Sequence, residues 1–132
     1  MSLRSLLQAG ASILGGLALL PGACSATLLY VASYSGTVTT LNLTATTSGP
    51  PSLASVASLH GCGVSPSWLT LDKATSTLYC LDEGLSTPNG SLAALRTSPS
   101  GELTLLSSIL TPNGPVSGVI YGSNGSGIAL AE

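Results

Sequence analysis

A set of short apolar runs that returns in the same order about fifty residues later restricts what this chain can fold into more than any other feature. LYVAS at 29–33 aligns with LYCLD at 78–82 and again with IALAE at 128–132. GTVTTLNL at 36–43 aligns with GSLAALRT at 90–97, and LASVASL at 53–59 with LTLLSSI at 103–109. SPSWLTLD at 65–72 matches GPVSGVIYG at 114–122 around Pro66 and Pro115. Three of the four matches keep an offset of 49 or 50, and the GTVTTLNL match is displaced by 54. The excess falls in LSTPN, which reads as a loop insertion. Preserved order at near-constant offset outweighs any single match. A unit of about 50 residues holding four short strands is the pattern of a β-propeller blade.

The phasing of the unit fixes the expected architecture. With strands lettered A to D from the channel outward, 66–72, 78–82, 90–97 and 103–110 make one complete blade. Strands B, C and D at 28–34, 36–43 and 53–59 precede it, and strands A and B at 115–121 and 128–132 follow. The expected fold is therefore all-β: propeller blades of four antiparallel strands in an incomplete ring, with one full blade and two partial ones. Blades bury their faces against their neighbours, so residues 27–132 read as the N-terminal portion of a longer propeller. A small independent β-sandwich is the alternative. Composition agrees, being 44% hydrophobic and 6% charged with no Phe. Abundant Gly, Ser, Thr and Pro suit short strands joined by turns, while the spaced apolar runs argue against a flexible Ser/Thr-rich stalk. The only cations are Arg4, Lys73 and Arg96. A phosphate backbone requires clustered cations, so nucleic acid is not an expected partner.

The first 26 residues, MSLRSLLQAGASILGGLALLPGACSA, carry one early cation, Arg4, and an apolar stretch over 6–20. Pro21-Gly22 and a run of small residues follow, the order of a secretory signal peptide cleaved after Ser25 or Ala26. The stretch is short and Gly-interrupted for a membrane span of about 20 residues. A secreted protein with no membrane attachment after cleavage is expected. Cleavage removes Cys24 and leaves Cys62 and Cys80 as an even pair in an oxidising compartment, where a disulfide is expected. Neither their spacing nor a nearby His supports a zinc site, and no metal or cofactor is expected. Three sequons begin at Asn42, Asn89 and Asn124, each expected at a strand end or turn that could carry glycan.

Four stretches carry a family resemblance: LLYVASYSGTVTTLNL, SPSWLTLDKATSTLYCLDEG, GSLAALRTSPSGELTLLSS and GPVSGVIYGSNGSGIALAE. They resemble the lactonase family of seven-bladed propellers, which includes 6-phosphogluconolactonase-like proteins and fungal carboxymuconate cyclases. The likeness covers 27–132, the first two to three blades of a full member. WD-type and kelch-type propellers are less similar, since Trp68 is followed by Leu69 rather than Asp and no double-Gly motif occurs. The resemblance implies a ring whose polar channel site opens or forms a cyclic ester, with a small-molecule lactone or carbohydrate-derived ligand as partner. In the cyclase branch, the His, Arg and Glu residues tied to the chemistry lie on later blades. Nothing in this chain matches those motifs, so none is carried over. Ser117 stands where many phosphogluconolactonase-type relatives have His, which argues against phosphosugar hydrolysis.

Lactone hydrolysis needs a base to activate water and donors or cations for the developing oxyanion. A phosphorylated or polycarboxylate substrate also needs cationic clamps. Propeller topology puts the D-to-A and B-to-C loops on one face. His60 falls in the D-to-A loop LHGCGVSP, Asp82 and Glu83 fall in a B-to-C loop, and Glu132 begins the equivalent position one blade on. His60, Asp82 and Glu83 are therefore the candidate catalytic residues, as a base or as substrate-orienting carboxylates. The competing reading makes them solvated loop residues, with Asp82 bonding turn amides. Lys73 belongs to the opposite face. Trp68 reads as core packing near the channel, and Cys80 as a disulfide partner or small core residue rather than a nucleophile. GSNGSG lacks the Lys of a phosphate-binding loop. A secreted or cell-wall glycoprotein that uses the propeller as a binding scaffold, without turnover, is the alternative function.

Overall fold

The computed structural model describes residues 26–123 and 125–132. The expected leader, Cys24 and the sequon residue Asn124 lie outside the described residues. Nine strands are described: β1 (Ala26–Ser33), β2 (Thr37–Thr44), β3 (Ser52–His60), β4 (Pro66–Asp72), β5 (Thr77–Asp82), β6 (Gly90–Thr97), β7 (Leu103–Thr111), β8 (Ser117–Tyr121) and β9 (Gly127–Ala131). They form three antiparallel sheets in the orders β1-β2-β3, β4-β5-β6-β7 and β8-β9. The middle sheet is a complete A-to-D blade, flanked by a B-C-D sheet and an A-B sheet, and the three do not close a ring. No helix among the described residues is long and apolar enough to cross a membrane.

Alternation of side chains along each strand sets how the sheets stack. Val38 and Thr40 of β2 are buried while Thr37 and Thr39, on the other face, are less so. Tyr30, Ala32 and Val38 of the first sheet pack with Leu78, Cys80, Ala93, Leu95 and Leu103 of the second, and Cys62 completes this core. On the other face of the second sheet, Leu81 approaches Gly118 of β8, where an added Cβ would lie 3.3 Å from the leucine Cδ1. Strand β5 is thus covered on both faces, and five of its six residues are buried. Strand β7, the outer edge of its sheet, leaves Leu105, Leu106, Ile109 and Leu110 exposed.

The backbone repeats as the sequence does. A register shift falls between Thr40 and Leu41 in the first sheet and between Ala94 and Leu95 in the second. These positions are the 54-residue offset of the third strand. In each sheet one residue of the outer strand is skipped, Val56 in β3 and Leu106 in β7. The bulge is therefore built into the repeating unit.

Several expected boundaries move. His60 closes β3 and Asp82 closes β5, so neither belongs to a loop. Asn42 lies inside β2, paired with Leu28 on one side and Ala54 on the other, rather than at a strand end. Its strand has neighbours on both sides and stays in register to Thr44. Its Oδ1 and the Thr40 Oγ1 are buried without hydrogen-bond partners. Strand β8 begins at Ser117, two residues later than expected, because Pro115 has no N–H for a ladder and its carbonyl accepts a bond from Ser67 Oγ (3.2 Å).

A disulfide joins Cys62, in the β3–β4 connection, to Cys80 on β5, with 5.9 Å between their Cα atoms. Both residues are buried. The sequence separation of 18 makes the closed loop short, and a loop of that order contributes about 3 kcal/mol by constraining the unfolded chain. The double variant Cys62→Ala/Cys80→Ala is expected to lose about 3 kcal/mol of stability in urea unfolding; an unchanged midpoint and slope would contradict this.

Candidate functional site

Four connections meet at one end of the stacked sheets. They are the β1–β2 turn (34–36), the β3–β4 connection (61–65), the β5–β6 loop (83–89) and the β7–β8 connection (112–116). Gly36 O accepts from the amides of Gly61 (3.2 Å) and Cys62 (3.3 Å), tying the first two. Glu83 N donates to Ser65 O (3.0 Å), and Gly114 N donates to Glu83 O (2.9 Å). Asn113, its amide turned to present Nδ2, adds bonds to the carbonyls of Glu83 (2.6 Å) and Gly84 (3.0 Å).

Asp82 sits beneath this junction and is 4% exposed. Its Oδ1 accepts from the amides of Ser65 (2.8 Å) and Gly84 (3.2 Å), and its Oδ2 accepts from Ser91 Oγ (3.4 Å). Bonds to a charged acceptor are roughly twice as strong as neutral ones, so this carboxylate ties two of the connections to the start of β6. The fit leaves no room beside it. Gly63 has φ +64, and a Cβ there would overlap the Asp82 carboxylate, so both backbone conformation and space demand glycine.

His60 is exposed at the same end. Its imidazole lies over Gly36, whose added Cβ would come 2.7 Å from the histidine Cε1 and would also meet Gly63 O. The backbone of Gly36 and Gly63 therefore stands between His60 and Asp82, and the His60 imidazole makes no hydrogen bond or ion pair among the described residues. Glu83 is half-buried, and its Oε1 accepts from the Tyr34 hydroxyl at 3.2 Å. The charge of Glu83, reinforced by this bond, raises the Tyr34 phenol above its ordinary value. Tyr34 was not among the expected site residues. It occupies the same place in the repeat as Glu83, 49 positions earlier, and that shared position was the signal that could have revealed the pair. Glu132, following β9, is exposed.

The two cations among the described residues lie elsewhere. Lys73 is in the β4–β5 turn, and Arg96 pairs with Thr77 and Thr104 at that same far end, whereas Asp82 pairs with Pro66 and Ser91 at the near end. Asp72 caps the far turn by accepting from Ala74 N (2.9 Å) and Thr75 Oγ1 (2.7 Å). The Thr75 bond, with help from backbone amides, holds its carboxyl below the usual range. Among the described residues there is no group of three or more His, Cys, Asp or Glu placed to hold a metal ion.

Along the inner edge, the A strands of the second and third sheets are tied by side chains. Trp68 Nε1 donates to Thr70 Oγ1 (2.9 Å) and to Gly118 O (3.1 Å), and Thr70 Oγ1 lies 3.1 Å from the same carbonyl. Trp68 is 43% exposed, which corrects its reading as core packing: the indole leaves the sheet interior to span the gap between β4 and β8. Ser117 opens β8 and is half-buried.

The end of the stack thus presents a phenol paired with a carboxylate and an imidazole that has no partner among the described residues, with a buried carboxylate underneath fixing the loops. Such groups can hydrogen-bond ligand hydroxyls and carbonyls. Residues 28–132 match the family described as Lactonase, 7-bladed beta-propeller. No curated protein and no solved structure matches the chain. With an all-β fold whose repeating sheets run in blade order over the matched residues, the chain belongs to the lactonase family of seven-bladed β-propellers.

Proposed function

We propose that this chain builds one sector of a secreted lactonase-type propeller whose ring takes a small cyclic ester, a lactone or a related carbohydrate-derived molecule. The reaction class is the opening or forming of that ester in the ring. The observation that carries the reading is the convergence of four connections, in a family of this description, on one end that displays His60, Glu83 and Tyr34. Glu83 and Tyr34 orient ligand hydroxyls, and His60 offers an imidazole to the same ligand. Secretion is supported by the leader-like pattern of 1–26 and by the Cys62–Cys80 disulfide.

Roles divide by what each group already does. A general base must reach the proton it removes. Both oxygens of Asp82 receive donors from the protein, and its carboxylate is buried under the loops. Asp82 is therefore a positioning residue. Among the described residues the His60 imidazole has no carboxylate bonded to it, and Lys73 and Arg96 lie at the other end of the sheet. On this division Glu83, Tyr34 and His60 contact the ligand, while Asp82 holds the loops that carry them. A phosphorylated ligand is disfavoured, since Lys73 and Arg96 sit at the opposite end of the sheet.

Because its three sheets do not close a ring, the 132-residue chain by itself is expected to hydrolyse simple and phosphorylated lactones no faster than buffer; turnover that His60→Ala abolishes would contradict this. Asp82→Ala strands the Ser65 and Gly84 amides and is expected to cost about 2–4 kcal/mol in chemical denaturation, whereas an unaltered stability would remove Asp82 from the scaffold. Expressed through a eukaryotic secretory pathway, the protein is expected to carry glycan at the exposed Asn89 and none at Asn42, whose amide oxygen is buried within a paired strand. Site-resolved mass spectrometry finding occupancy at Asn42 in folded protein would contradict that assignment.

A further inference from the structure

Trp68 is the one large aromatic on the inner strands β4 and β8 whose polar atom is already committed to the protein. Its N–H is shared between Thr70 Oγ1 and Gly118 O, one acceptor on its own strand and one on the next sheet. Ser67 Oγ to Pro115 O is a second tie across the same gap. The indole is therefore held from its edge by two sheets at once. It is nevertheless 43% exposed.

An indole anchored at its N–H in a residue that is still 43% exposed is unusual for a packing residue. Buried Trp normally combines a hydrogen-bonded N–H with a covered ring. Rigid aromatic rings give contact area at low entropic cost, and a side chain already locked in place loses little more on binding. Ligand sites are lined mainly by apolar and aromatic groups with a few placed polar ones. The charge distribution narrows the ligand. Asp72, at the far end and engaged in its own turn, is the sole charged residue on β4 and β8. No cation is present there to receive a phosphate or carboxylate.

We propose that Trp68 is a preorganised stacking platform on the inner strand β4 for the face of an uncharged ring, a neutral sugar lactone. This rests on the reading that the propeller takes a small cyclic ester, and it adds the surface that grips the ring and the exclusion of anionic forms. The platform faces the inner edge, while Glu83, Tyr34 and His60 lie at the end of the stack, so the two contact different parts of a ligand.

Trp68 is the only tryptophan in the chain, so intrinsic fluorescence reads this site alone. The secreted protein is titrated with freshly dissolved D-glucono-1,5-lactone and, separately, with its 6-phosphorylated form, by emission and by calorimetry. The neutral lactone is expected to give a saturable emission change and to protect Trp68 from acrylamide quenching, with the calorimetric midpoint. The phosphorylated form is expected to bind about tenfold more weakly. Trp68→Ala is expected to weaken the calorimetric affinity about tenfold, and Trp68→Phe, which keeps an apolar ring without the tether, about threefold. Heat of binding without any change in emission or acrylamide protection overturns the platform and leaves the reading of a lactone-binding propeller standing, as does an unchanged affinity in Trp68→Phe. Tighter binding of the phosphorylated lactone overturns the uncharged assignment. Absence of heat with both lactones removes the lactone reading and the platform with it.

Discussion

Face-to-face burial of one sheet on the next is the interaction on which the rest of this structure depends. Leu78, Leu81 and Leu95 are at most 1% exposed, and full burial of such a side chain stabilises by about 1.5–3 kcal/mol. A typical hydrogen bond contributes about 1 kcal/mol net. The ladders therefore define the sheets, but apolar contact between sheets places them. Leu78 and Cys80 pack toward the first sheet, while Leu81 faces the third. Alternation along a single six-residue strand thus joins three sheets, and the converging loops inherit their positions from it.

The repeat was legible because its determinants are local: apolar alternation, turn residues and their spacing. Even the odd 54-residue offset of one strand has a structural counterpart in the bulges at 40/41 and 94/95. Strand ends were less legible because they depend on neighbours. Asn42 lies inside a strand because β1 and β3 both continue beside it. Strand β8 starts late because Pro115 engages Ser67 from another sheet.

The site was legible to a smaller degree. Blade topology places His60, Asp82 and Glu83 at one end of the stack, but not in one environment. Asp82 is buried because Ser65 and Gly84 bring amides to it and Gly63 leaves space for it, none of which has a local signature around Asp82 itself. The orientation of Trp68 depends on a carbonyl fifty residues away. Tyr34 and Glu83 were the exception, since equal places in adjacent repeats are neighbours by construction and their pairing follows from the alignment.

The disulfide has a mechanical meaning as well as a thermodynamic one. Cys62 precedes β4 and Cys80 lies on β5, so the β4–β5 hairpin turn sits inside the covalent loop. Tension along the chain passes from residue 62 to residue 80 through sulfur and bypasses everything between, including β4 and its exposed turn at 73–76. The innermost strand cannot be peeled away by pulling on its flanks, and a protease that cuts that turn leaves the two pieces joined. The bond shields the strand that carries Trp68 from forces that would first fray the outer edges of the sheets.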